Sequence, residues 1–129
     1  MAELTDDEMH RIGDCLVNAI AAGDVDAVRA LYAPDIVVWH NFDEQEQTID
    51  DNLATLTDLH ARATQLQYTE IRRFLSPGGF VQQHVLVGNA RHGHLRMPAM
   101  IRFWVDDGRI IRLEEYLDTR QARVLFRSS

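Results

Sequence analysis

The chain has no lysine. All 13 cationic side chains in its 129 residues are arginine, which excludes Schiff-base chemistry through a lysine amine. Cysteine occurs once, at Cys15. One cysteine permits no internal disulfide, so a reducing, cytoplasmic location is expected, and Cys15 reads as a small core residue. No apolar run reaches the ~18 residues of a membrane span. The acidic stretch Met1 to Glu8 also lacks the charged-then-apolar layout of a signal peptide. Positive charge is scarce and scattered, and the formal net charge is −7. These features argue against nucleic acid and against a membrane as partners. There is no glycine-rich phosphate loop and no Gly-x-Ser-x-Gly elbow.

What is present suits one domain spanning 1–129, with 46% hydrophobic residues to build a core and a pocket. Met9, Ile12, Leu16 and Ile20 repeat at helical spacing, and Thr5 with Glu8 makes a capping box, so a helix is predicted over Thr5–Ala22, ended by Gly23. Asp24 caps a short second helix through Tyr32, which Pro34 stops. Ile36–His40 reads as a strand and Asn41–Gln47 as a polar loop. A third helix starts at Thr48 or Asp50 and runs to about Ala63, with Ile49, Leu53, Leu56 and His60 on one stripe. Strands follow over Gln67–Leu75, Phe80–Asn89, Leu95–Val105 and Arg109–Leu117. They are separated by Ser76-Pro77-Gly78-Gly79, Arg91-His92-Gly93-His94 and Asp106-Asp107-Gly108. Three helices followed by a run of strands imply an α+β domain with helices on one face of a curved sheet.

Several segments resemble one family. They are Ala22-Gly23-Asp24-Val25-Asp26-Ala27, Leu31-Tyr32-Ala33-Pro34-Asp35, and the closing Asp107-Gly108-Arg109-Ile110-Ile111-Arg112-Leu113-Glu114-Glu115-Tyr116-Leu117-Asp118. Together with the element order, they make the chain similar to the nuclear transport factor two-like superfamily. The small-molecule branch of that superfamily includes SnoaL-like polyketide cyclases and ketosteroid isomerases. The resemblance implies a cone: a mixed, largely antiparallel sheet curved around three N-terminal helices, with a pocket at one end. It also implies a homodimer through the sheet face. In the isomerase pattern the catalytic aspartate falls on His40, the oxyanion-hole tyrosine on Leu16 and the protonated aspartate on Met100. A base is retained and both oxyanion donors are lost, so 3-ketosteroid isomerisation itself is not expected.

Candidate site residues follow from parity and chemistry. His40 ends an apolar strand, where an imidazole must be solvated, hydrogen-bonded or used; its ordinary pKa near ~6.5 suits proton transfer. Glu115 shares a face with Ile111, Leu113 and Leu117 by period two, a carboxylate on an apolar face. Arg102 is less determined. The isomerase pattern turns Met100, Arg102 and Trp104 inward, as a partner for Glu115 or a substrate oxyanion. The local pattern instead makes Leu95, Met97, Ala99, Ile101, Phe103 and Val105 the core face. A bulge, or a second subunit covering the other face, would reconcile the two. Tyr32 either packs under the second helix or offers its hydroxyl to the pocket, and Asn41 either orients His40 or caps the loop. His84 has the opposite parity to Val81, Gln83, Val85 and Val87, which sends it outward or into a dimer seam.

No metal or cofactor is expected: His92 and His94 straddle a glycine turn that splays their rings, and the acidic loop lacks calcium-loop spacing. The leading expectation is cofactor-free acid/base chemistry on a small hydrophobic molecule, of the isomerase, cyclase, dehydratase or epoxide-opening type. The alternative is a non-catalytic binding or dimeric interaction domain of the same fold. An epoxide-hydrolase-like acid–arginine–acid set would need a second inward acid beside Arg102 and Glu115, and none is evident.

Overall fold

Capping chemistry sets the helix boundaries in the computed structural model, which describes residues 3–126. Thr5 accepts a 3.2 Å bond from the Glu8 amide, and the Glu8 carboxylate accepts one of 3.1 Å from the Thr5 amide. Helix α1 then runs Asp6–Ala22 until Gly23 turns left-handed at φ 73°. Asp24 caps α2, Val25–Leu31, through the Ala27 amide at 3.1 Å. Thr48 and Asp51 form a second capping box for α3, Ile49–Arg62. The strands are β1 Tyr32–His40, β2 Glu46–Gln47, β3 Ala63–Ser76, β4 Gly79–Ala90, β5 Gly93–Asp106 and β6 Arg109–Leu117, followed by a 3-10 helix over Thr119–Leu125.

Three differences from the sequence pattern stand out. Strand β1 starts at Tyr32 rather than Ile36 and carries Pro34 inside it. Its ladder with β6 is broken between Tyr32 and Val37, so the missing proline N–H removes no regular bond there. The supposed loop contains β2, which pairs Val38 with Gln47 and Trp39 with Glu46. Strand β3 begins directly after α3, without the short connection expected.

The sheet order is β2-β1-β6-β5-β4-β3. It is antiparallel throughout, except that β1 and β6 run parallel. Irregularities in the β3–β4 ladder, with Gln65 and Glu70 at positive φ, let the long strands coil. The sheet remains open and curves over α1 and α3 as the expected α+β cone. Its inner face stacks Phe80 on Phe103 at 4.6 Å and packs them with Met9, Ile12 and Leu16 of α1. Each such buried side chain contributes on the order of 1.5–3 kcal/mol.

Register decides which residues face inward. In β5, Leu95, Ile101 and Phe103 are buried, so the local apolar pattern prevails over the isomerase pattern. Met100 is 39% exposed on the outer face. Arg102 lies there too, over the Trp104 ring and donating to the Pro77 carbonyl. A bulge opposite Trp104 and Val105 puts Ile110 in the core and Ile111 outside, which corrects the expected alignment of Ile111 with Leu113. In β4 the parity argument fails. Gln82 and His84 point inward with Phe80 and Leu86, and Val81, Gln83 and Val87 take the outer side. Polar partners inside, described below, satisfy this line. Cys15 is exposed rather than in the core.

Candidate active site

A cavity of about 720 Å³ opens at one end of the cone, between α1, α3, the sheet and the closing 3-10 helix. Leu16, Leu56, Leu86, Met97, Ile101 and Leu113 make much of its wall apolar. A few polar groups converge on it, which is the usual make-up of a small-molecule site.

The central pair is made by the parallel ladder. His40 and Glu115 are direct partners across β1 and β6, so both side chains leave the sheet on the same face. His40 Nε2 lies 3.1 Å from Glu115 Oε1. His40 is 8% exposed, and Phe42 at the mouth lies 5.2 Å from the imidazole, ring to ring. An imidazole bonded to a carboxylate at the edge of an apolar cavity can take up or deliver a proton, and the carboxylate steadies the cation formed.

Two tyrosines border the pair. The Tyr32 hydroxyl donates to Asn52 Oδ1 at 2.8 Å, and the Asn52 amide donates in turn to Gln47 at 3.4 Å. Tyr68 also lines the cavity. Burial pushes both phenols well above their ordinary range, and the Glu115 charge adds to the effect. Both hydroxyls therefore keep their protons at neutral pH.

His84 sits behind Tyr68, edge to face at 4.8 Å. Its state is set by a line of side chains from α1. Arg73 donates to Asp14 Oδ1 and to Gln82 Oε1, each at 2.8 Å, and Gln82 Nε2 lies 2.9 Å from His84 Nδ1. An arginine only donates, so Gln82 must turn its oxygen to Arg73 and its amide to His84. His84 Nδ1 therefore accepts, and the ring is neutral with its proton on Nε2. Burial lowers the His84 pKa; Glu115 opposes this and Arg73 reinforces it. The line depends on Gly13, where a methyl would overlap the Arg73 guanidinium.

Of the residues expected at the site, His40, Glu115, Tyr32 and Leu16 line the cavity together. Asn41 does not orient His40: its side chain accepts from the Leu117 amide at 3.0 Å and ties β1 to β6. His84 faces inward but is screened from the cavity by Tyr68. Met100 and Arg102 lie outside, so Arg102 cannot join Glu115 in an acid–arginine–acid set. Tyr68, Asn52 and three arginines at the rim, Arg62, Arg120 and Arg123, were not foreseen. The bulges of β3 obscure the parity of Tyr68, and the 3-10 helix carrying two of the arginines has no periodic signal. Among the described residues, no three His, Cys, Asp or Glu side chains gather as a metal set. No helix among them is long and apolar enough to cross a membrane.

A curved sheet over helices, open at one end into a cavity, defines a member of the nuclear transport factor two-like fold. The chain belongs to the SnoaL-like domain family, whose model matches residues 15–113. No curated protein sequence matches it. Similar solved structures include PrhC from Penicillium brasilianum, at 9% identity and TM-score 0.80 over 92% of this chain and 85% of that one. An LEH-like epoxide hydrolase from M. tuberculosis matches at 20% identity and TM-score 0.71, covering 92% of each chain. A protein with a ketosteroid isomerase-like fold from Catenulispora acidiphila, in complex with trimethylamine, matches at 13% identity and TM-score 0.72, over 81% of this chain and 83% of that one. Such low identities establish a shared fold.

Proposed function

We propose that this protein is a cofactor-free acid/base enzyme acting on a small hydrophobic molecule, with His40 as the proton carrier and Glu115 as its charge partner. The observation that carries the reading is the 3.1 Å His40–Glu115 contact inside an apolar cavity. Tyr32 and Leu16 would shape the bound substrate. Isomerisation, cyclisation, dehydration and epoxide opening all need this kind of proton movement. Leucine at position 16 and the outward Met100 leave no donor at the oxyanion positions of the isomerase pattern, which argues against 3-ketosteroid isomerisation. The same loss supports the second reading, a binding domain that performs no chemistry.

The test is proton exchange at the carbon beside the carbonyl of hydrophobic ketones, followed by NMR in deuterated water. Catalysed exchange should fall by roughly 10²–10⁴-fold in His40→Ala. Exchange equal in variant and wild type would leave the binding reading. A homodimer through the outer sheet face completes the proposal. Phe74, Met100, Ile111 and Tyr116 are exposed large apolar side chains on the strands β3, β5 and β6, and a second copy would cover such a face. A monomeric mass by light scattering would remove that part.

A further inference from the structure

The cavity mouth carries charge of the sign opposite to the molecule as a whole. Arg62 from the end of α3 and Arg120 and Arg123 from the 3-10 helix line it, in a chain of net charge −7. The acids nearby are already engaged. Asp58 accepts from Arg62 Nε at 2.8 Å. Asp118 caps the 3-10 helix through the Arg120 amide at 2.9 Å and accepts from Arg120 Nη2 at 3.3 Å. Arg123 lines the cavity with no carboxylate in ion-pair range among the described residues. Arg62 is fixed as well as charged: it donates to the Leu125 carbonyl at 3.3 Å and lies 4.7 Å over the Phe126 ring. A held guanidinium with unused N–H groups is well suited to a carboxylate.

Three arginines against two engaged acids leave about one positive charge for a ligand. Deeper in the cavity the wall is apolar, and the full charge there belongs to Glu115, which repels an anion. An anionic ligand can thus enter in only one sense, with its charge at the rim and its apolar part toward His40. We propose that the cavity selects a hydrophobic monocarboxylic acid, whose carboxylate is held at the Arg62–Arg120–Arg123 rim. The inference rests on the reading of this cavity as a small-molecule site and names the ligand class. It does not depend on His40 moving a proton.

Naphthylacetic acid and the neutral naphthylacetamide, of nearly the same size and shape, form the test pair for calorimetric titration. The acid should bind more tightly to wild type, by about fivefold for a partly exposed pair. High salt should erode the preference, and Arg123→Gln with Arg120→Gln should abolish it without weakening the amide. His40→Gln should keep it. Equal binding of the two probes, or tighter binding of the amide, overturns the inference and leaves the small-molecule reading intact. A preference that survives the arginine changes but disappears in His40→Gln moves the carboxylate to His40 and also overturns it. If neither probe binds, both readings fall together.

Discussion

Two histidines are buried on the inner face of one sheet and are held in opposite ways. His84 is at the end of a closed line, Asp14 to Arg73 to Gln82, in which every bond has a fixed direction and the ring has one state. His40 has one carboxylate partner, one aromatic neighbour and an open cavity in front of it. Burial alone therefore does not distinguish the two rings. What separates the two is whether the ring faces an open cavity beside a carboxylate, as His40 does, or ends a closed line of hydrogen bonds, as His84 does. The first arrangement is the one the proposed role of His40 needs; the second packs His84, on β4, against Tyr68.

The comparison can be broken most sharply at the chemistry. Losing the His40 imidazole should remove turnover by orders of magnitude while the melting temperature stays near wild type. An equal loss of turnover in His84→Gln would erase the distinction. Next in size is Arg73→Met. It leaves Gln82 Oε1 buried without a donor and should destabilise the fold by about 1–3 kcal/mol, measured by urea unfolding. It should also release the His84 tautomer, visible in imidazole nitrogen NMR shifts, and leave those of His40 unchanged. Smaller again is Tyr32→Phe, which orphans Asn52 Oδ1 beside a cavity that water can enter, at about 1 kcal/mol.

The smallest effect concerns pH. Burial lowers the His84 pKa in the folded state, so the unfolded chain binds that proton more readily. The stability contributed is complete above the unfolded value of ~6.5 and is lost as pH falls from there through the folded value. Acid unfolding curves of His84→Gln should therefore flatten below that point relative to wild type. A steeper curve would contradict the assignment of a neutral, locked ring.

Helices, turns and the closing strand were legible because their signals are local. Thr5 with Glu8, Gly23, Asp24 and the Asp107-Gly108 turn each act within a few residues. His40 and Glu115 were legible as candidates because each interrupts an apolar face. Their meeting was not, since it depends on the parallel register of β1 with β6. Parity misled at β4, where Gln82 and His84 take the inner side because Arg73, the cross-strand partner of Gln82 on β3, bonds Gln82, and Gln82 in turn bonds His84. The isomerase pattern misled at β5, where Met100 and Arg102 follow the local alternation outward. Arg120 and Arg123 were missed because the 3-10 helix has too few residues to show a period.

The parallel ladder that joins His40 to Glu115 also governs when the pair comes into existence. Strand β1 is the first in the chain and β6 the last, and β6 lies between β1 and β5 in the sheet. Until β6 inserts, β1 with its β2 hairpin has no hydrogen-bonded ladder to the β3–β5 meander, and the imidazole has no carboxylate. Contacts so distant along the chain form only after the long intervening loop has been closed. In a partly made or partly folded chain the imidazole is therefore without its carboxylate, and the same event that completes the sheet brings the two together.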